Sequence, residues 1–407
     1  MRLGFHHRSC FAGLTAKPRR HALNYLAPQD WSFPVPIAYG PGRLREMADH
    51  CRRAGMIRPL IVTDRGSASL PFLDDLRGYL AAGGLESALF SGISPNPRDT
   101  EIAAGRAQYR EGGHDGIIAI GGGSGMDGGK AIALTAANEV DLWAFEFEQG
   151  SPDVAGFPPL ITIPTTAGTG AETESTAMIT DTGKAMKWCV WHPALKPSLA
   201  LLDPEITLGL PPHLTAWTGA DALVHAIEAY SVPGFHPLCD GLALEALRLI
   251  ARWLPVAVAE PDNLEARGAM LAGSCLAGVA FMKGLGLVHA ISHMVGAEHD
   301  TQHGLTNAVL LPAVLRFNAP ALEGRIVPMA QAVGLDDTSF DAFHGWVCAV
   351  LDRIGIPKTL AEIGVPEDGA SRLAQKALQD SAAATNPRAA SASEVETILR
   401  AAWRTGR

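Results

Sequence analysis

Asp221 and His225 stand four residues apart in Gly219-Ala220-Asp221-Ala222-Leu223-Val224-His225-Ala226-Ile227-Glu228, an otherwise apolar run. On a helix, residues at i and i+4 share one face. His289, His293, His299 and His303 follow later, so four of the 14 histidines fall within one short stretch. His289 and His293 repeat the four-residue spacing. A carboxylate with several imidazoles is a donor set for a divalent first-row ion, Fe²⁺ or Zn²⁺. A lone histidine is an ordinary core or surface residue; the cluster together with Asp221 points to a metal.

A second chemistry is written in glycines. Gly121-Gly122-Gly123-Ser124-Gly125-Met126-Asp127-Gly128-Gly129-Lys130 follows an apolar run and opens a helical one. Glycines let backbone approach a pyrophosphate, and free amides at a helix N-terminus point at the anion. The loop lacks the GK[ST] of a P-loop and matches the usual GxGxxG only loosely. Thr165-Thr166-Ala167-Gly168-Thr169-Gly170-Ala171-Glu172 closes another apolar run, with hydroxyls and amides suited to a nucleotide's phosphates and ribose. Asp64 ends a third run, where an acid accepts from ribose hydroxyls and repels a 2′-phosphate, favouring NAD over NADP. Arg65 beside it works against that preference.

These residues need elements to place them. Leu60–Val62, Gly116–Ile120 and Leu160–Ile163 read as strands, with a further strand near Ser87–Phe90 and a helix over Phe72–Ala82. Strands alternating with helices predict a parallel α/β sheet, whose ligands bind at the carboxyl ends of the strands. After Asp203-Pro204 the pattern turns helical: Leu214–Ser231, Cys239–Trp253, Asn263–Ala280, and further runs broken at Pro312, Pro320 and Pro357. The expected domains are therefore a flexible extension over 1–30, an α/β nucleotide-binding domain over 31–205, and a helical domain over 206–407. The 407 residues, 47% hydrophobic and 18% charged, are ample for a folded core. A net charge of −9 argues against a nucleic-acid or anionic-lipid surface. Six scattered cysteines without a CxxC pair suit a reducing compartment, hence the cytoplasm. Gly268–Phe281, the most apolar stretch, reads as too short to span a bilayer. The first twenty residues are basic but poor in serine for a transit peptide, and contain no apolar core of a secretion signal.

Taken in order, Thr63-Asp64, Pro95-Asn96-Pro97, the GGGSxxD loop, Pro164-Thr165-Thr166-Ala167-Gly168-Thr169, the DAxxHAIEAY helix and GLGLVHAxxH followed by HG resemble the iron-containing (group III) alcohol dehydrogenase family. The resemblance runs from about Phe33 to the C-terminus. It implies an active site in the cleft between an α/β and a helical domain, with metal ligands Asp221, His225, His289 and His303. It implies His293 as a proton relay, and cofactor contacts from Asp64, Asn96, Gly122, Gly123, Ser124, Asp127, Thr165, Thr166, Thr169 and Lys187. It gives His299 no role. It further implies a homodimer, with a small alcohol or aldehyde as substrate.

Two departures stand out: Gly125-Met126 in the loop, and Phe281-Met282-Lys283 before His289. Lys283 is expected either to reach an acidic substrate or to lie on the surface. The resemblance thus keeps hydroxyacid dehydrogenase, hydroxyacid–oxoacid transhydrogenase and maleylacetate reductase-like activities as alternatives. The last group tends to lack the acid present here as Asp221. A zinc-dependent glycerol dehydrogenase-like enzyme is a further alternative, against which His303 and the PTTAGTG segment speak.

Overall fold

β-branched runs punctuated by turn residues become the strands of one parallel sheet. A computed structural model describes residues 35–184 and 186–404; the expected extension over 1–30 lies outside them. The strands are β1 (Ile37–Tyr39), β2 (Pro59–Asp64), β3 (Ala88–Ile93), β4 (Gly116–Gly121), β5 (Leu160–Pro164), β6 (Thr176–Asp181), β7 (Met186–Trp191) and β8 (Leu199–Leu202). Six of them pair in the order β1-β8-β5-β4-β2-β3, every neighbour parallel. The remaining two, β6 and β7, form a separate antiparallel hairpin. β4 and β5 are buried along their whole length, as central strands covered on both faces must be.

This order has a functional consequence. The ends of β5, β4 and β2 lie side by side, so the threonine segment, the glycine loop and Asp64 share one edge of the sheet. Thr165 N donates to Gly121 O at 2.9 Å and ties two of these ends together. Around the sheet run α1 (Met47–Arg53), α2 (Pro71–Ala82), α3 (Asp99–Glu111) and α4 (Gly123–Ala136). α4 begins in the glycine loop, and its N-cap, Gly122, has no capping side chain.

From Pro212 onward the described structure is helical: α5 (Pro212–Ser231), α6 (Pro237–Ala259), α7 (Leu264–Ala280), α8 (Leu287–His299), α9 (His303–Asn318), α10 (Glu323–Ala332), α11 (Phe340–Arg353), α12 (Ala370–Ala377), α13 (Ser381–Ala384) and α14 (Ala392–Arg404). α5 is buried on nearly every side from Thr215 to Ser231, so it is the central helix of this half. Two sequence expectations change here. α9 runs straight through Pro312, because the surrounding core of Leu310, Leu311 and Val314 holds it. The apolar stretch around α7 extends over Leu264–Lys283, long and apolar enough by composition to cross a membrane. It is instead mostly buried in the helical core.

Candidate active site

α5 places Asp221 and His225 on one face, and α8 and α9 bring the other imidazoles to it. Asp221 Oδ1 lies 3.7 Å from His289 Nε2, 3.7 Å from His303 Nε2 and 3.9 Å from His225 Nε2. Asp221, His289 and His303 offer ligand atoms all within 4.8 Å of one another. His225 stands beside this trio, its ring stacked on His289 with centroids 4.6 Å apart, its Nδ1 3.2 Å from Gly168 O. Close helix packing makes the convergence possible. A Cβ on Gly304 would sit 2.3 Å from Trp217 O and 2.9 Å from Asp221 Cβ, so only glycine lets α9 begin this close to α5. A Cβ on Gly168 would likewise collide with Thr218 O, at 2.6 Å.

The electrostatics suit a cation. Burial opposes ionisation of Asp221, but the three imidazoles hold its carboxyl well below the usual range. Burial drives His225 down to about 4 and His303 well below its ordinary value, leaving neutral imidazoles with a lone pair to give. Burial acts on His289 in the same direction, but Asp221 and Glu228 outweigh it and raise it to about 9. Glu228 Oε2 takes His289 Nδ1 at 2.6 Å, while the two Glu228 oxygens accept from Gly286 N at 3.0 Å and Val288 N at 2.8 Å. This fixes the ring orientation and turns His289 Nε2 toward Asp221. Asn307, one turn beyond His303, joins the centre: its Nδ2 lies 2.7 Å from Asp221 Oδ1.

His293 sits next to the cluster, its ring stacked on His303 with centroids 5.3 Å apart. Its Nδ1 lies 2.8 Å from Asp380 Oδ2. Burial opposes the Asp380 charge, yet His293 and the Ala382 amide keep this carboxyl below its ordinary value. Lys187 Nζ donates to Asn96 Oδ1 at 3.3 Å, and Asn96 Nδ2 donates to Asp300 Oδ1, tying the β3–α3 turn to the end of α8. Lys283 takes neither expected position. It is buried in an ion pair with Asp240 at 2.6 Å, which Arg325 shares at 3.1 Å. His299, at the C-terminal end of α8, has a buried Nε2 with no hydrogen-bond partner.

The nucleotide side is shaped by small residues. A Cβ on Gly123 would meet Thr169 Cγ2 at 2.7 Å, whereas one on Gly122 would make only ordinary contact with Thr166 at 3.6 Å. The hydroxyls of Thr166 and Thr169 are buried without partners, as groups waiting for a ligand would be. Asp64 accepts from Ser67 N and Oγ beside Gly121. Two expected contacts are engaged elsewhere: Ser124 donates to Pro95 O, and Asp127 Oδ2 accepts from Met178 N at 3.2 Å with Lys130 at 3.7 Å from Oδ1.

The described sequence matches known proteins throughout. Residues 34–204 match the iron-containing alcohol dehydrogenases, and residues 215–403 match the C-terminal domain of the same family. The chain belongs to the iron-containing alcohol dehydrogenase family. It is 37% identical over 383 residues to a 1,3-propanediol dehydrogenase of Klebsiella pneumoniae, covering 92% of this chain and 98% of that one. A crystal structure of 1,3-propanediol oxidoreductase superposes with a TM-score of 0.88 at 36% identity, covering 92% of this chain and all of the other. A sulfoacetaldehyde reductase of Bifidobacterium kashiwanohense, solved with NAD+, gives a TM-score of 0.85 at 30% identity, covering 93% and 100%. This member of the iron-containing alcohol dehydrogenases is thus an oxidoreductase acting on alcohols, in a family named for its iron.

Sequence reasoning singled out neither Glu228, Asn307, Asp300 nor Asp380. Glu228 had a signal, since it stands three residues past His225 on the same helix. Asn307 had one too, at i+4 from His303. Asp380 had none, being 87 residues from its partner.

Proposed function

We propose that Asp221, His225, His289 and His303 hold one Fe²⁺, with Zn²⁺ accepted by the same donors, and that the glycine loop and the threonine segment hold NAD. In this reading residues 31–205 carry the nucleotide and 206–407 the metal. The enzyme exchanges a hydride between a small primary or secondary alcohol and its aldehyde or ketone. The observation that supports this best is the approach of three imidazoles from three helices to Asp221 Oδ1, all within 3.9 Å.

The metal, when bound, supplies Lewis-acid polarisation of the substrate oxygen, and the nicotinamide supplies the hydride chemistry. The chain supplies position and protons. Asp221 and the neutral imidazoles of His225 and His303 present lone pairs, and Glu228 holds His289 in register with them. Asp380 occupies His293 Nδ1, which leaves Nε2 as the ring nitrogen that takes or returns the alcohol proton. Gly122 and Gly123 open the backbone to a pyrophosphate at the α4 N-terminus.

Arg65 supports NAD over NADP. Its guanidinium is committed to Glu101 at 2.9 Å, so the cation next to Asp64 is not left to pair a 2′-phosphate. Lys283 Nζ is engaged by Asp240 at 2.6 Å, which supports a neutral substrate over a carboxylate anchored on this lysine. Thiols without a disulfide at Cys51, Cys189, Cys239 and Cys275 suit a cytoplasmic enzyme, and a homodimer is the common state for soluble oligomers.

The test is anaerobic NADH oxidation by metal-stripped protein reloaded with Fe²⁺ or Zn²⁺. Propanal, hydroxyacetone, succinic semialdehyde and maleylacetate are the substrates. Metal-dependent turnover of the neutral carbonyls is expected. Activity indifferent to metal would overturn the ligand set.

A further inference from the structure

We infer that Asn307 is a positioning residue for the metal, whose amide orients Asp221 and closes the inner face of the donor set. Asn307 is fully buried in α9. Its Nδ2 lies 2.7 Å from Asp221 Oδ1, 3.1 Å from His289 Nε2 and 3.1 Å from His303 Nε2. One nitrogen therefore touches a ligand atom from each of α5, α8 and α9. An amide nitrogen has two hydrogens and no lone pair for a metal, so it acts here only as a donor and a filler.

The three contacts differ in what they can do beside a cation. A neutral imidazole nitrogen has a single lone pair, which coordination uses up. A carboxylate oxygen has lone pairs to spare. The bond to Asp221 is therefore the one compatible with a loaded site, and it is also the shortest. It fixes which way the carboxylate faces, as Glu228 does for His289. The opposite end of the same side chain pays a cost, because Asn307 Oδ1 is buried with no hydrogen-bond partner. A core asparagine that leaves its carbonyl unpaired is held for what its nitrogen does. The side chain also occupies the space behind the trio, while His303, with 27% of its side chain exposed, faces the open side.

The inference rests on the metal reading above, and the experiment separates the two. Metal-free protein is titrated with Co²⁺ against a competing chelator, and the visible d–d bands of the bound ion are recorded. Wild type, Asn307→Leu and Asn307→Ala are compared, with a thermal melt of each metal-free protein as the folding control. Leu keeps the volume and removes the donor; it serves should the cavity left by Ala unfold the chain. Asn307→Leu is expected to weaken Co²⁺ binding by about 10–100-fold, with band intensity kept. Asn307→Ala is expected to weaken it at least as much, with bands that lose intensity as water joins the coordination from behind. Variants that melt like wild type and bind Co²⁺ with its affinity and spectrum would overturn the inference while leaving the ligand set intact. Wild-type protein that takes up no Co²⁺ would overturn the ligand set, and this inference with it.

Discussion

Lys283→Met asks whether a buried ammonium beside the site serves the substrate or the fold. Lys283 Nζ lies 2.6 Å from Asp240 Oδ1, with 4% of its side chain exposed, and Arg325 reaches the same oxygen. Burial pulls the Lys283 pKa below its ordinary value, against the pull of Asp240. Methionine keeps much of the stem and removes the charge. A buried charge stripped of its partner costs about 3–5 kcal/mol. Asp240 keeps Arg325, so the loss is nearer that of one charge-assisted hydrogen bond, about 1.5–3 kcal/mol. At about 2.1 cal/mol/K per residue over roughly 370 residues, that corresponds to a melting point lower by about 2–4 °C. The assay pairs scanning fluorimetry with kcat/KM for propanal and succinic semialdehyde. The expected result is the lower melting point with the acid-to-neutral preference unchanged within about twofold, the scatter of an interaction that touches neither substrate. A loss of about tenfold or more on the acid alone, with propanal spared, would refute the structural assignment and make Lys283 a carboxylate anchor.

Glu228→Gln replaces an acceptor of three donors with a group that must turn its own NH₂ toward one of them. Zn²⁺ affinity, read by chelator competition, should fall about 10–100-fold, and the His289 titration should move down from about 9. Unchanged affinity would remove Glu228 from the site. Gly123→Ala drives a Cβ to 2.7 Å from Thr169 Cγ2; NADH binding, followed by fluorescence, should weaken about tenfold, and Thr169→Ser in the same chain should restore part of it. Equal NADH affinity in wild type and Gly123→Ala would place the pyrophosphate elsewhere. Glu298 is held at about 2 by its hydrogen bond to Arg372 and by Lys376, below the ordinary 4.5. A folded value below the unfolded one stabilises above pH ~4.5 and is lost as pH falls toward ~2. Glu298→Gln should therefore cost about 1 kcal/mol or less near neutrality, given solvent screening, and the gap in urea midpoints should begin to narrow as pH falls from 6 to 3.5. A gap independent of pH would show that the ion pair contributes nothing.

What the sequence disclosed and what it withheld follow from how far apart the partners lie. β2, β4 and β5 were legible because each is a β-branched run stopped by residues that cannot continue it, at Asp64, Gly121 and Thr165. α5 and α8 carried their imidazoles at helical spacing, so their shared faces could be read from local pattern alone. β1 and β8 were not read: Ile37–Tyr39 is three residues long, and Leu199–Leu202 fits a helix as well as a strand. The β6–β7 hairpin was missed as well, its apolar residues serving a small sheet of its own. The fate of Lys283 was illegible for a different reason. Its position depends on Asp240 and Arg325, which stand 43 residues before it and 42 after it, and no periodicity links them. The same holds for the site itself. Four candidate donors could be named along the chain, but their metal-free charge states could not. His225 and His303 are neutral because the penalty of burial outweighs the pull of Asp221. His289 holds its proton because it also hydrogen-bonds a second carboxylate, Glu228. In the proposed metal site Glu228 therefore acts in two opposing ways: it turns His289 Nε2 toward Asp221, and it opposes loss of the proton that His289 must release to bind an ion.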